Sequence, residues 1–439
     1  MSHHRMRLAL VCVALVGTAC GFAPSRDGDT KVVPGLSFRT GDKVLDLDLA
    51  TDGDRTAYLA WVERRLDRQT RRPGELATRL AVADLQKNKW TILEQSPSTT
   101  QRPIRLVYQA RELHLFMGSR ILHSTSSDNG KTWSHARPVV SEDRFAVNWN
   151  VLGSSDGVVV ALTQIIGTPG RTVRNDSLRL LVWRESSSSR LEQRVLVGLL
   201  PPAGLGEHLL KLLQSGDSLY LFCASMERLE FPKMDPSVYR FGTQLSMARS
   251  GDGGRTWSGL SIIKALPDWD SADGELSEIC PVSVQGQLAL YYAGVTVRVI
   301  SLRADGSWST PSVVCPPQQG LFDATSFVPG LATATLGSRG LLVWMDSRFA
   351  RTDKALGVPM RLQSDWPHTD ALARMLPTSP TARCSPLRLT PELSRAERLR
   401  VRTGGHNFYV AWTGFGGVGR NFDPAKATPN LYFARLPAK

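Results

Sequence analysis

Seven times along the chain a polar turn gives way to a short apolar run: TAYLAWV at 56–62, ELHLFMG at 112–118, GVVVALTQ at 157–164, SLYLFCA at 218–224, QLALYYAG at 287–294, GLLVWMD at 340–346 and NFYVAWTG at 407–414. Runs this rich in β-branched and aromatic residues, apolar on both faces, belong to strands covered from both sides. Seven echoes imply seven equivalent units. The flanks supply further strands: in the second unit PIRLVY precedes the echo, while RILHSTS and ARPVV follow it, and in the fourth FGTQLSMARS and LSIIKAL take the same places. Four-stranded antiparallel units recurring every 45 to 70 residues or roughly so build a β-propeller, in which each sheet buries its faces against the next.

Only LYFARL (431–436) follows the last echo, whereas VVPGLSF (32–38) is left over before the first. The two ends therefore complete one blade, and a ring closed by N- and C-terminal strands leaves few free edges. The expected fold is all-β: a propeller of four-stranded antiparallel blades, seven preferred and six the alternative if one echo is misread. Helical signals are weak. GEHLLKLLQSG fits the first strand of the fourth unit, and PELSRAER is at most a short loop helix.

A second repetition is sharper. SSDNGKTWS at 126–134 returns as SGDGGRTWS at 250–258, with a weaker copy, RADGSWS, ending at Ser309. Each residue type in the string has a job in a turn. Asp128 and Asp252 can fold back onto backbone N–H groups, and Gly130 and Gly254 can take a positive φ. The hydroxyls of Ser126, Ser250, Thr132 and Thr256 can close the loop, and Trp133 and Trp257 can bury a ring beneath it. The string reads as a structural hairpin between the third and fourth strands of a blade, with direct ligand contact the lesser reading.

Residues 1–20 stand apart as a targeting segment: a basic MSHHRMR, an apolar LALVCVALVG and TAC ending at Cys20. The small residues before the cysteine resemble the lipobox of bacterial lipoproteins, although Gly17 stands where that pattern has Leu. Lipidation at Cys20, a tether at 21–31 and a propeller at 32–439 follow, with a plain cleaved secretory signal as the alternative. The protein is expected to be exported and anchored to a membrane of the cell envelope, or else periplasmic or secreted. No later segment has the roughly 18 uninterrupted apolar residues of a membrane span. Cys223, Cys280, Cys315 and Cys384 lack any Cys-x-x-Cys pattern, and disulfides or free buried thiols both fit an oxidising compartment.

A net charge of +13 comes without basic runs interleaved with aromatics, so nucleic acid is not the expected partner. An anionic neighbour fits better: a lipid or polysaccharide surface, or an acidic ligand. The scattered histidines form no metal pattern, and DWDSADGELSE (268–278) misses the calcium-loop spacing and reads as a solvated loop. There is no Gly-rich phosphate loop and no nucleophile elbow. No metal and no cofactor are expected, and the chain is expected to act as a monomer.

The boxes and the blade pattern together resemble the sialidase-like superfamily, whose propellers carry the Asp-box, or BNR, repeat. In sialidases the active site lies on the face away from the boxes, with three arginines for a carboxylate, an Asp acid/base and a Tyr–Glu nucleophilic pair. SEICPVSVQGQLALYYAG resembles the segment bearing that glutamate, which falls on Glu278. Elsewhere the chain departs: VLDLDLA replaces the first-blade Phe/Tyr-Arg-Ile-Pro motif, Ala293 stands near the expected arginine, and RLRVRTG offers no tyrosine.

The loops after the echo strands point away from the boxes and are long and charged. They would gather Arg64, Arg174, Arg228, Arg348 and Arg420, with Arg65 and Arg171, on one face. Guanidinium forks bind carboxylate, sulfate or phosphate at two points, although charged loops can also be merely solvated. The expectation is a non-catalytic propeller that binds an acidic glycan or a protein partner through this face. The alternative is an exo-sialidase-type glycoside hydrolase with Glu278 and Asp346 as its carboxylates and Arg348 as anion clamp.

Overall fold

The computed structural model describes residues 32–37, 43–53, 55–66, 73–87, 89–93, 101–139, 146–165, 178–186, 192–200, 209–229, 240–266, 276–294, 296–315, 330–346, 369–376, 386–390, 395–415 and 430–438. Among them are 28 strands in seven four-stranded antiparallel sheets, and no α-helix. The first strand, β1 (Val32–Ser37), belongs with the last sheet. Blade 1 follows as β2 (Lys43–Thr51), β3 (Thr56–Leu66), β4 (Pro73–Asp84) and β5 (Lys89–Leu93), and blade 2 as β6 (Ile104–Gln109), β7 (Glu112–Met117), β8 (Leu122–Ser126) and β9 (Arg137–Pro138). Blade 3 is β10 (Ala146–Ser154), β11 (Gly157–Ile165), β12 (Leu178–Ser186) and β13 (Glu192–Leu200). Blade 4 is β14 (Leu209–Ser215), β15 (Ser218–Leu229), β16 (Arg240–Ser250) and β17 (Ser261–Leu266). Blade 5 is β18 (Glu278–Val284), β19 (Gln287–Ala293), β20 (Val297–Ser301) and β21 (Ser312–Cys315), and blade 6 is β22 (Leu331–Leu336), β23 (Arg339–Asp346), β24 (Asp370–Leu376) and β25 (Leu387–Arg388). Blade 7 runs β26 (Arg395–Gly404), β27 (Asn407–Phe415), β28 (Asn430–Pro437) and then β1.

The core explains the count of seven. Each of seven apolar clusters joins residues of two consecutive blades, and one joins blade 7 to blade 1 through Leu47, Leu49, Trp61, Tyr409 and Phe433. A blade is thus the wall of two cores. The echo runs are the second strands, sandwiched on both faces: Trp61, Phe116, Phe222, Tyr292, Trp344 and Trp412 are all at most 1% exposed. Buried aromatics of this size each remove 150–250 Å² or so from water and dominate the packing. The ring closes where β1 pairs antiparallel with β28, from Val32 opposite Ala434 to Ser37 opposite Asn430. The first strand of each blade lies innermost, beside the first strands of both neighbours, round to β26 against β2. The molecule is a seven-bladed β-propeller.

Cys223 and Cys280 are free and buried, and burial pushes both thiols up to about 12, which keeps them protonated and inert.

Candidate functional site: the charged axis

Both full copies of the repeated string close on themselves with the same bonds. Ser126 Oγ donates to Asp128 Oδ1 (2.8 Å) and accepts from Gly130 N (2.8 Å), while Thr132 N and Oγ1 donate to the two Asp128 oxygens at 2.9 and 2.6 Å. Ser250, Asp252, Gly254 and Thr256 repeat those four distances. Trp133 Nε1 donates to Gly130 O and Trp257 Nε1 to Gly254 O, each at 3.1 Å. Both indoles are half-buried against the neighbouring cores rather than sealed inside them. The hydrogen bonds from Thr132 hold the Asp128 carboxyl at about 2. At Asp252 partial burial works the other way, but the bonds from Thr256 and Ser250 outweigh it and bring that carboxyl to about 2 as well. The third copy is thinner, with Ser307 N and Oγ donating to Asp305 at 2.8 and 2.7 Å.

The box hairpins follow the third strands, so in an antiparallel blade they lie at the end where the first strand finishes. The opposite face is where first strands begin and second strands finish. Arg64 near the end of β3 (opposite Lys43), Arg228 near the end of β15 (opposite Phe241) and Asp346 at the end of β23 (opposite Asp370) all belong to that face by strand position. The side chain of Arg228 lies outside the described residues, as do Arg174, Arg348, Arg420, Cys20 and the acidic loop through Asp273. Asp346 accepts the indole N–H of Trp344 at 3.2 Å. Glu278, the remaining candidate, opens the innermost strand of blade 5 and is paired with Lys211 of β14 at 3.0 Å.

Around Glu278 the inner strands carry a network that stretches across blades 7, 1, 2, 4 and 5. Asp46 and Asp48 sit at alternate positions of β2, so both project to one side of the strand. Asp46 accepts from Leu47 N (2.9 Å), from Ile104 N of blade 2 (2.8 Å) and from Arg400 Nη2 of blade 7 (3.2 Å), with Arg105 Nη1 at 3.5 Å. Asp48 accepts from Leu106 N (2.7 Å) and Arg402 Nη2 (3.1 Å), with Arg400 Nε at 3.5 Å. Two carboxylates therefore fasten three blades. Burial works to raise the Asp46 carboxyl, but Arg400, Arg105 and the two backbone donors hold it below its ordinary value. Burial likewise opposes the Arg400 charge, and Asp46, Asp48 and Glu278 together more than restore it.

The layering is what gives the cluster chemistry. The Asp48 side chain is fully buried and that of Asp46 nearly so, whereas those of Arg105, Arg400, Lys211 and Glu278 are 20 to 24% exposed and that of Arg402 37%. The two aspartates stand behind, and the cations stand in front together with Glu278. Arg105 uses Nη1 on Ile104 O (2.6 Å) and lies against the Trp149 ring at 5.8 Å, which leaves Nε and Nη2 without protein partners among the described residues. On β10 the amide Nδ2 of Asn148 is buried without a hydrogen-bond partner among the described residues. These are spare donors. Glu278 is the first residue of its strand, Arg105 the second and Lys211 the third, so this part of the cluster lies toward the face away from the boxes.

Of these residues only Glu278 was singled out from sequence. The signal for the rest was present in two strings: VLDLDLA, with Asp at alternate positions, and RLRVRTG, with Arg at alternate positions. Period-two charge on a strand that must sit inside a ring is unusual, because it aligns like charges on one side.

No protein-family model matches the chain, and no curated protein matches it. Solved structures do resemble its course. A protein of unknown function from Dyadobacter fermentans is 10% identical, with a TM-score of 0.45 over 93% of this chain and 99% of that one. The polysaccharide lyase Uly1 is 11% identical, with a TM-score of 0.49 over 88% and 90%. The K499G mutant of NanB sialidase from Streptococcus pneumoniae is 11% identical, with a TM-score of 0.41 over 92% and 70%. None of these likenesses transfers a residue role to this chain.

Proposed function

We propose that this propeller binds an acidic glycan by a carboxylate or sulfate group seated against Arg105, Arg400 and Lys211 at the mouth of the axis, and that it does so without turnover. One observation carries the reading. Arg105 is a partly exposed guanidinium held from behind by a buried carboxylate, with two donor positions that no described residue takes. Donors without acceptors call for an acceptor-rich ligand, and a guanidinium edge matches a carboxylate or sulfate at two points. Asp46 and Asp48 occupy the place of the sialidase first-blade motif and neutralise two of the arginines, which favours modest, selective binding over a hydrolase's anion clamp. Export and lipid anchoring at Cys20 would place this surface among envelope or extracellular polysaccharides. Loss of metabolic acyl labelling in Cys20→Ala tests the anchor separately.

Calorimetry with oligouronates, sulfated oligosaccharides and sialosides at two salt concentrations tests the function. Binding should weaken with salt, since attraction between exposed charges is screened over about 8–10 Å. Arg105→Ala should weaken it about 10- to 100-fold, the worth of a hydrogen bond to a charged group. An unchanged affinity in that variant, or no binding by any acidic glycan, refutes the proposal.

A sialidase-type hydrolase is the second reading, and Glu278 favours it. Its Oε1 is held by Lys211 while Oε2 is unpartnered among the described residues. Release of sialic acid from a fluorogenic sialoside, abolished in Glu278→Gln, would establish it.

A further inference from the structure

Between blades 2 and 3, away from the axis, three residues that are remote or unremarkable in sequence meet inside the protein. His114 on β7 and His123 on β8 place Nδ1 and Nε2 3.1 Å apart, and Glu185 on β12 brings Oε2 to 3.5 Å from the other ring nitrogen of His123. All three are buried, His123 to 1% exposure. One ligand atom from each lies within 4.8 Å of the other two. We propose that His114, His123 and Glu185 bind a zinc-class divalent ion that fastens blade 2 to blade 3.

Four features support the assignment. The first is spacing: with zinc–nitrogen bonds of about 2.0–2.1 Å, two ligands of a tetrahedral ion stand about 3.3 Å apart, close to the 3.1 Å between the two imidazoles. Those rings are also nearly coplanar, at 8°, so one ion between them can lie in both ring planes. The carboxylate, whose Oε2 stands by the other nitrogen of His123, then has to swing toward the ion to complete the set. The second is burial: all three side chains are shielded from the water that would compete for the ion. The third is rigidity: Phe116 stacks on the His123 ring at 4.4 Å and Trp183 meets it edge-on at 5.8 Å. Arg137 secures the first Glu185 oxygen at 2.8 Å, which leaves the second aimed at the histidines. The fourth is the donor set. Two imidazoles and one carboxylate suit zinc and its neighbours rather than calcium or magnesium, which favour all-oxygen sets.

The test uses the full chain purified without chelator after growth with added zinc, and metal measured by mass spectrometry after dialysis. About one equivalent of zinc per chain is expected. His114→Gln and Glu185→Gln should each lose most of it, while His406→Gln, on the hairpin of blade 7, should keep it. Chelation should lower the melting temperature of the wild type and leave that of His114→Gln where it is, because an ion that binds only the folded state stabilises it. Should the variants fail to fold, cobalt titration of the chelated wild type replaces them, and visible absorption bands of a tetrahedral cobalt site are expected at one equivalent. Less than a tenth of an equivalent of zinc with no cobalt bands, or full metal retention in both His114→Gln and Glu185→Gln, overturns the proposal and leaves the trio as a hydrogen-bonded staple.

Discussion

The box hairpins and the charged axis both depend on aspartates, yet they are assembled at opposite scales. In a box every bond that Asp128 or Asp252 makes spans two to four residues. On the axis, Asp46 meets Arg400 and Asp48 meets Arg402 across 354 residues. A box can form as soon as its hairpin does. The axial pairs exist only when blade 7 returns to blade 1, so they report ring closure, and their carboxylates are sealed behind cations instead of lying exposed at a turn.

Removing an axial carboxylate should therefore be the most damaging of the simple changes. Asp48→Ala strips a fully buried acceptor from Arg400, Arg402 and Leu106 N. Breaking one side of a buried ion pair costs about 3–5 kcal/mol, and the partial exposure of the arginines points to the lower end. Urea unfolding measures it, and a loss under about 1 kcal/mol, no more than a surface pair contributes, would erase the distinction drawn between the two regions.

Within the boxes the expected losses are smaller and unequal. Gly130 and Gly254 have φ of +84° and +89°, so alanine at either should cost about 1–2 kcal/mol through backbone strain. At Gly130 a Cβ would also run into Leu80 Cδ2, whereas at Gly254 its nearest neighbour is Leu219 at 3.4 Å. Gly130→Ala should thus be the worse by about 1 kcal/mol, the lower range of overpacking. Equal melting temperatures for the two variants would mean that the blade 1 core gives way freely.

The mildest test is titration. Asp128 and Asp252 are depressed from 3.8 to about 2 in the folded state. A carboxylate with a lowered folded pKa stabilises fully above its unfolded value and loses that contribution as pH falls through the folded one. Stability should decline between about pH 4 and pH 2, and the Asp128→Asn/Asp252→Asn double variant should show a shallower decline there. What slope remains belongs in part to Asp46, which is also held low, but by cations from other blades. An unchanged slope in the double variant would mean that the boxes contribute nothing to acid stability.

The blades were legible because their signals are local. Each echo is an apolar run covered on both faces, each box carries its own turn chemistry, and the unmatched strands at the two ends find each other at β1 and β28. The axis was less legible. In sequence VLDLDLA shows only the lack of an arginine motif, while in the fold its two aspartates are what the arginines of RLRVRTG grip. The arginine loops expected to carry function place Arg64, Arg228 and Asp346 on strand ends at one face. The stronger grouping of charge lies deeper, on the first strands.

By itself the sequence determined the repeat, the strand order within a blade and the chemistry of the hairpins, because these depend on alternation and on bonds between residues a few positions apart. Tertiary structure alone decided which charges meet. The meeting of Arg400 with Asp46, of Lys211 with Glu278, and of two histidines with Glu185 follows from how adjacent blades pack. No local pattern encodes those distances, because they are set by the closure of the ring and the burial of seven shared cores.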